Sequence, residues 1–151
     1  MGTLAELGLV YLEALKEVIS TVTGIHLQVG SRQSNKDFDD ITGVMYLNGK
    51  KSGMLFVTAN KDDVRVLCSH FIGVPLEEVT PDDLEDAMCE FVNMTAGNAK
   101  LRLTDTDYMF TLLQPFVITG KDVTIVTKKI TQVEAGTLTN GEVSISFKAV
   151  Y

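Results

Sequence analysis

Glu90 and Asn93 stand three residues apart in a stretch, Thr80 to Leu103, that reads as one long helix. Residues at that spacing share a helix face with Cβ atoms roughly 5–6 Å apart, so a carboxylate and a carboxamide lie side by side. The carboxylate can meet a cation. The carboxamide offers both a donor and an acceptor, and can hold a water molecule in line for attack. With no nucleophile and no second acid in the pair, protease and glycosidase mechanisms have no support. Hydrolysis of an activated phosphoryl group held in another protein asks for less, chiefly a well-placed water. The competing reading is a solvated helix face without chemistry. Glu90-x-x-Asn93 is the only tetrad of its kind in the chain.

The helix that carries the pair has a well-specified start. Thr80 suits the N-cap and Pro81 the first helical position, while Asp82, Asp83 and Glu85 place negative charge where the helix dipole is positive. Leu84, Ala87, Met88, Phe91, Met94, Asn98 and Leu101 recur at three- and four-residue steps and form the stripe expected to face a core. Asp86, Glu90, Asn93, Gly97 and Lys100 form a second, polar or small stripe. An interior helical glycine costs about 1 kcal/mol relative to alanine, so Gly97 marks a place for close approach by another body. Asp86, Gly97 and Lys100 are therefore candidate partner-contacting residues. Asn98, on the apolar stripe, is expected to serve structure by bonding backbone beneath a sheet or in a neighbouring loop.

The remaining elements alternate in kind. Thr3 to Val22 reads as a helix with Leu4, Leu7, Val10, Tyr11, Ala14, Leu15, Val18 and Ile19 on one face. Ile25 to Val29 reads as a strand containing His26, and Thr42 to Leu47 and Met54 to Thr58 as strands flanking an Asn48-Gly49 hairpin signal. Asn60 caps a helix to about Ile72, which Gly73 closes. From Tyr108 onward strands return, with turns at Gly120-Lys121-Asp122 and Asn140-Gly141 and a half-buried alternation over Glu142 to Val150. The order predicts a two-layer α+β fold: an antiparallel or mixed sheet packed by helices, with the long helix at about 81–103 and one domain over 1–151.

Composition narrows the partners. With 151 residues, 45% of them hydrophobic, the chain can bury its own core. Its net charge of -7, with no basic cluster beyond Lys50-Lys51 and Lys128-Lys129, speaks against nucleic acid and anionic membranes. Glu6, Glu13, Lys16 and Glu17 interrupt the first twenty residues, so no signal peptide or membrane span is read there and a cytoplasmic location is expected. Cys68 and Cys89 fall in apolar helical surroundings and are expected to be buried free thiols. Gly43 to Lys51 has the outline of a phosphate-binding loop, but Asn48 and Lys51 stand where glycine and Ser or Thr are required. Asp37, Asp39 and Asp40 lack the remaining ligands of a calcium loop. No Cys-His spacing fits zinc, and no bound metal is expected in this chain.

The run Asp86 to Lys100 resembles the signature helix of the CheX branch of the CheC/CheX/FliY chemotaxis phosphatases. The likeness extends to the hairpin Gly49 to Thr58, the helix Asn60 to Gly73, the proline-containing strand Leu113 to Gly120 and the closing strand Gly141 to Phe147. It implies an α+β fold and a single active centre acting on a CheY-like response regulator. By that resemblance Asn93 orients the hydrolytic water at the regulator's aspartyl phosphate and Glu90 pairs with its active-site lysine. Magnesium belongs to the regulator, and Lys100 stands where it could contact a phosphate oxygen or an acidic rim. The likeness also implies a homodimer joined through sheet edges, which the final alternating strands would provide. Phe91-Val92 is bulkier than the small residues common at that place in the family, and Cys89 replaces glycine or alanine. Phe91 is expected to face the core and Val92 to lie nearer the rim. Two other readings stand beside the phosphatase: a non-catalytic module that docks on a receiver domain and sequesters or localises it, and a structural component of a flagellar or secretion switch.

Overall fold

The structure, a computed structural model, describes residues 4–32, 34 and 36–151, without the side chains of Leu4 and Ala5. The helix start expected at Thr3 and the side chain of Leu4 lie outside the described residues. In chain order the elements are α1 (Leu4–Thr23), β1 (Gln28–Gly30), β2 (Ile41–Gly49), β3 (Gly53–Ala59) and α2 (Lys61–Ile72). A short 3-10 turn (Leu76–Glu78) leads to α3 (Pro81–Arg102), then β4 (Phe110–Leu112), β5 (Phe116–Thr119), β6 (Val133–Thr139) and β7 (Ser144–Val150).

Helix boundaries follow from local chemistry. The Thr80 hydroxyl accepts from the Asp83 N–H at 3.1 Å and the Asp83 carboxylate accepts from the Thr80 N–H at 2.9 Å, a reciprocal cap that satisfies two otherwise unpaired donors. Asn60 caps α2 by accepting from the Asp63 N–H at 2.8 Å. Gly73 ends that helix at φ 73°, ψ 36°, the left-handed conformation that glycine reaches without Cβ strain.

All strands pair antiparallel, in the spatial order β1-β6-β7-β3-β2, with β4 and β5 sharing the outer edge of β2. This spatial order corrects several sequence expectations. Asn48-Gly49 is not a hairpin turn, because β2 continues through both residues to pair them with Thr111 and Phe110 of β4. The reversal falls on Lys50 to Ser52 instead. Gly49 is needed there for close backbone approach, since a Cβ would stand 2.2 Å from the Met109 carbonyl oxygen. Likewise, β1 begins only at Gln28, after the left-handed Gly24 bends the chain, and His26 lies exposed before the strand. The strand expected from Tyr108 starts at Phe110. Finally, β7 is central, held between β6 and β3, and buried on both faces rather than alternating.

That double burial arises because both faces of the sheet are covered. The three helices pack on one face through residues such as Tyr11, Leu15, Phe91, Leu55, Val57 and Phe147. On the opposite face Phe38, Val44, Phe56 and Val150 form a smaller core, closed by Ile118, Ile125 and Ile130. Phe38 and Phe56 pack with ring centroids 5.0 Å apart and planes tilted by 56° there, with the Lys148 ammonium 5.4 Å over the Phe38 ring. Hydroxyl pairs Thr42–Thr58 and Thr137–Ser146, each at 2.8 Å, satisfy the polar groups buried beside this layer.

The main core holds one polar pair. The Tyr11 and Tyr151 hydroxyls share a hydrogen bond, and Tyr108 meets the Tyr151 ring edge-on at 5.2 Å. Burial pushes the Tyr11 phenol far above its ordinary range and that of Tyr151 up to about 12. Unfolded, both titrate at about 10, so the stability they lend is fully present below that pH and is lost as pH rises through and beyond it. Urea unfolding midpoints are therefore expected to hold level to about pH 9.5 and fall steeply above about pH 10, with a shallower fall in Tyr11→Phe. Equal alkaline slopes for the variant and the wild-type chain would remove this pair as the cause.

Candidate active site on the outer face of the long helix

Helix α3 is gripped from two directions. Met88, Val92, Ala96 and Ala99 are buried, and Val92 and the Met88 carbonyl lie directly over Gly43 of β2. Phe91 packs on Phe71 of α2 with ring centroids 5.3 Å apart, and Leu84 and Thr95 are also fully buried. The buried arc is consequently wider than the expected apolar stripe and carried partly by small and β-branched residues. Two assignments change with it. Leu101, expected in the core, is 78% exposed, and Val92, expected near the rim, is 0% exposed. Met94 is only half-buried.

Asn98 bonds neither sheet nor loop backbone. Its amide donates to Glu17 of α1 at 3.1 Å, and its carbonyl accepts from the Arg102 guanidinium at 2.7 Å, while Arg102 also pairs with Glu17. These bonds, that from Asn98 first and then those from Arg102, hold the Glu17 carboxyl below the usual carboxylate range. They fasten the last turns of α3 to α1. Cys68 is buried as expected, its thiol donating to the Asp83 carbonyl at 3.4 Å, but Cys89 is only partly buried.

On the remaining side lie Asp86 and Glu90, exposed, and Asn93, Gly97 and Lys100, half-buried. Among the described residues neither Glu90 nor Asn93 makes a side-chain hydrogen bond or ion pair. Their position is set by the helix backbone alone. Gly97 is required neither by the backbone, since it lies outside the left-handed region, nor by crowding: an added Cβ would meet only Leu112 Cδ1 of β4, at 4.0 Å. The space beside it is open.

The pair lines neither of the two depressions that flank α3. A depression of about 290 Å³ opens at the start of α3, lined by Asp40, Lys61, Leu84, Glu85, Thr119 and Lys121. Another, of about 450 Å³, lies between Lys100, Asn48, Lys50 and Met109. Neither includes Glu90 or Asn93. Small-molecule sites are concave and bury most of their ligand, so a carboxylate and a carboxamide on an open helix face, outside both depressions, suit a macromolecule that brings its own cleft. Among the described residues no group of three or more His, Cys, Asp or Glu side chains is placed to hold a metal ion, and no helix is long and apolar enough to cross a membrane.

A sequence search of curated proteins returns no match. The chain is similar over its full fold to the chemotaxis protein CheX from Desulfovibrio desulfuricans, with 25% identity, TM-score 0.80, and 97% of this chain and 99% of the other covered. A chemotaxis protein of Desulfovibrio vulgaris Hildenborough matches at 26% identity and TM-score 0.80, covering 95% of each chain. CheX from Borrelia burgdorferi, solved as a CheX-CheY-BeF3-Mg+2 complex, shares the fold at 14% identity and TM-score 0.74, covering 93% of this chain and 94% of that one. The sequence model of the chemotaxis phosphatase CheX matches residues 41–147, from the first residue of β2 almost to the end of β7 and across the whole of α3. The chain thus belongs to the CheX family of chemotaxis phosphatases.

Proposed function

We propose that this protein hydrolyses the aspartyl phosphate of a CheY-like response regulator, with Asn93 orienting the attacking water and Glu90 pairing with the lysine beside the phosphoryl group. The observation that carries this reading is the display of an unpartnered carboxylate and carboxamide on the one free side of an otherwise clamped helix. In the reaction, water attacks phosphorus and the bond from phosphorus to the aspartyl oxygen breaks. Inorganic phosphate and the free carboxylate leave, and the water's proton passes to solvent or phosphate. Charge on the transferring group is met by magnesium and lysine, both belonging to the regulator; the Borrelia structure is itself a complex of CheX and CheY with beryllofluoride and magnesium. This chain then adds the position of one water and little else.

Net charge agrees with that division of labour. At -7 the chain would repel a bare phosphoryl group. A regulator whose phosphate is neutralised by magnesium and flanked by an ammonium group presents a cation for Glu90, and Asp86 extends the negative rim. Gly97 gives the regulator room beside Asn93, and Lys100, a turn further, reaches towards a phosphate oxygen or an acidic edge. A cytoplasmic location and a homodimer belong to this reading. The dimer is not formed through β7, which is interior; the open backbone lies in β1, in the first half of β6 and along β4 and β5. The second reading, a receiver-binding module without catalysis, differs only in what Asn93 does.

Three outcomes are expected. With receivers phosphorylated by a small phosphodonor in magnesium, the wild-type chain accelerates phosphate release. Asn93→Ala loses about 10²-fold or more in kcat, the loss typical of removing one preorganised group from a transition state, while still binding the beryllofluoride-activated receiver. Binding without any acceleration by the wild-type chain would award the site to the binding module. Glu90→Ala weakens receiver binding by about tenfold, the loss of one charge-assisted pair; unchanged affinity would exclude the lysine contact. Gly97→Ala separates folding from function: it raises Tm by about 2–4 °C, from about 1 kcal/mol of helix propensity, yet lowers kcat/KM. A rise in both would show that nothing approaches Gly97.

A further inference from the structure

Gly43 lies in the interior of β2, where glycine weakens a strand, and is paired with Val57 of β3 on one side and Val117 of β5 on the other. Its backbone lies outside the left-handed region, so conformation does not require a glycine there. Space does. A Cβ at this position would stand 2.9 Å from the Met88 carbonyl oxygen and 2.9 Å from both Cβ and Cγ1 of Val92. Val92 stands between Glu90 and Asn93 in the tetrad and is fully buried. With β2 hydrogen-bonded on both edges, added bulk cannot be relieved by retreat of the strand. The turn of α3 that carries the pair must rise instead.

The height of that turn matters because the approach surface is built from two bodies. The Gly97 opening is bordered by Leu112 of β4, and β4 is bound to β2 through the Leu47–Leu112 pairing. A regulator that settles on α3 beside Gly97 therefore rests on the helix and on the sheet edge together. We infer that Gly43 is a positioning residue for the Glu90/Asn93 pair: its missing side chain seats Val92 at the depth that sets the pair's height above the β4 edge. This inference rests on the phosphatase reading of the site.

The test combines structure and kinetics. In Gly43→Ala, a crystal structure is expected to show α3 lifted from β2 around Met88 to Val92. Misplacement by about 1 Å costs up to about 10²-fold in rate, so kcat should fall by about tenfold or more, with binding of the beryllofluoride-activated receiver changed by less than about threefold. Gly43→Ala/Val92→Gly, which removes the contacts with both Cβ and Cγ1 of Val92 and leaves only that with the Met88 carbonyl, should recover most of the lost kcat without recovering thermal stability. If Gly43→Ala does not fold, Val92→Leu presses on the same contact from the helix side and should give the same loss of kcat. An unmoved α3, a wild-type kcat in the lifted variant, or a double variant no faster than Gly43→Ala would each overturn the inference while wild-type activity still stood. A wild-type chain that dephosphorylates no receiver would instead overturn the proposed reaction, and the role of Gly43 with it.

Discussion

Helix α3 must serve two masters along 22 residues, and the rest of the molecule is arranged around that constraint. Its sheet side is closed by Met88, Val92, Ala96 and Ala99, its inner side by Leu84, Phe91 and Thr95, and its last turns are tied to α1 through Asn98, Arg102 and Glu17. The N-terminus is fixed by the reciprocal cap of Thr80 and Asp83. With both ends and two sides held, the helix has little freedom to roll or slide. What it shows on the free side is set as firmly as the core beneath it, which is the preorganisation that the proposed placing of a water would demand.

The proposed reaction asks for no cleft in this chain. Excluding solvent and stabilising developing charge are tasks for groups that surround the reacting centre. A receiver domain with its own magnesium and lysine already surrounds the phosphoryl group, so a second protein need only reach in. The second core, around Phe38 and Phe56, then has a clear place. By covering the far face of the sheet it makes β2 and β3 doubly buried, and so gives α3 an unyielding floor.

Much of this was legible in the sequence, and the failures have a common origin. Thr80, Asn60 and Gly73 act through bonds to residues within a few positions, so their roles could be read directly. The Glu90/Asn93 spacing and the α+β order were equally local. What failed depended on distant partners. Asn48-Gly49 has the composition of a tight turn, but β4, more than sixty residues later, captures it as strand. Asn98 finds its acceptor 81 residues away in α1. β7 looks like an edge by its alternating letters and becomes a centre once β6 and β3 flank it. Leu101 and Val92 exchanged places because a helix held by two layers buries a wide arc, and the part against the sheet selects slender residues over large ones. Gly43 did leave a signal, a glycine inside a strand of bulky neighbours, but which element approaches it could not be read from β2 alone.

Among the described residues Glu90 and Asn93 make no side-chain hydrogen bond or ion pair, and this separates the fate of the fold from the fate of the proposed activity. Quality control in a cell monitors unfolding, and exchange of either residue leaves the core, the caps and the sheet untouched. On the proposed reading, a chain that has lost Asn93 would accumulate to normal abundance and, with Glu90 intact, still occupy the phosphorylated regulator. In a cell carrying both forms such a variant would shield the signal from the intact chain, so the genetic behaviour that follows from the proposed reaction is dominance rather than simple loss.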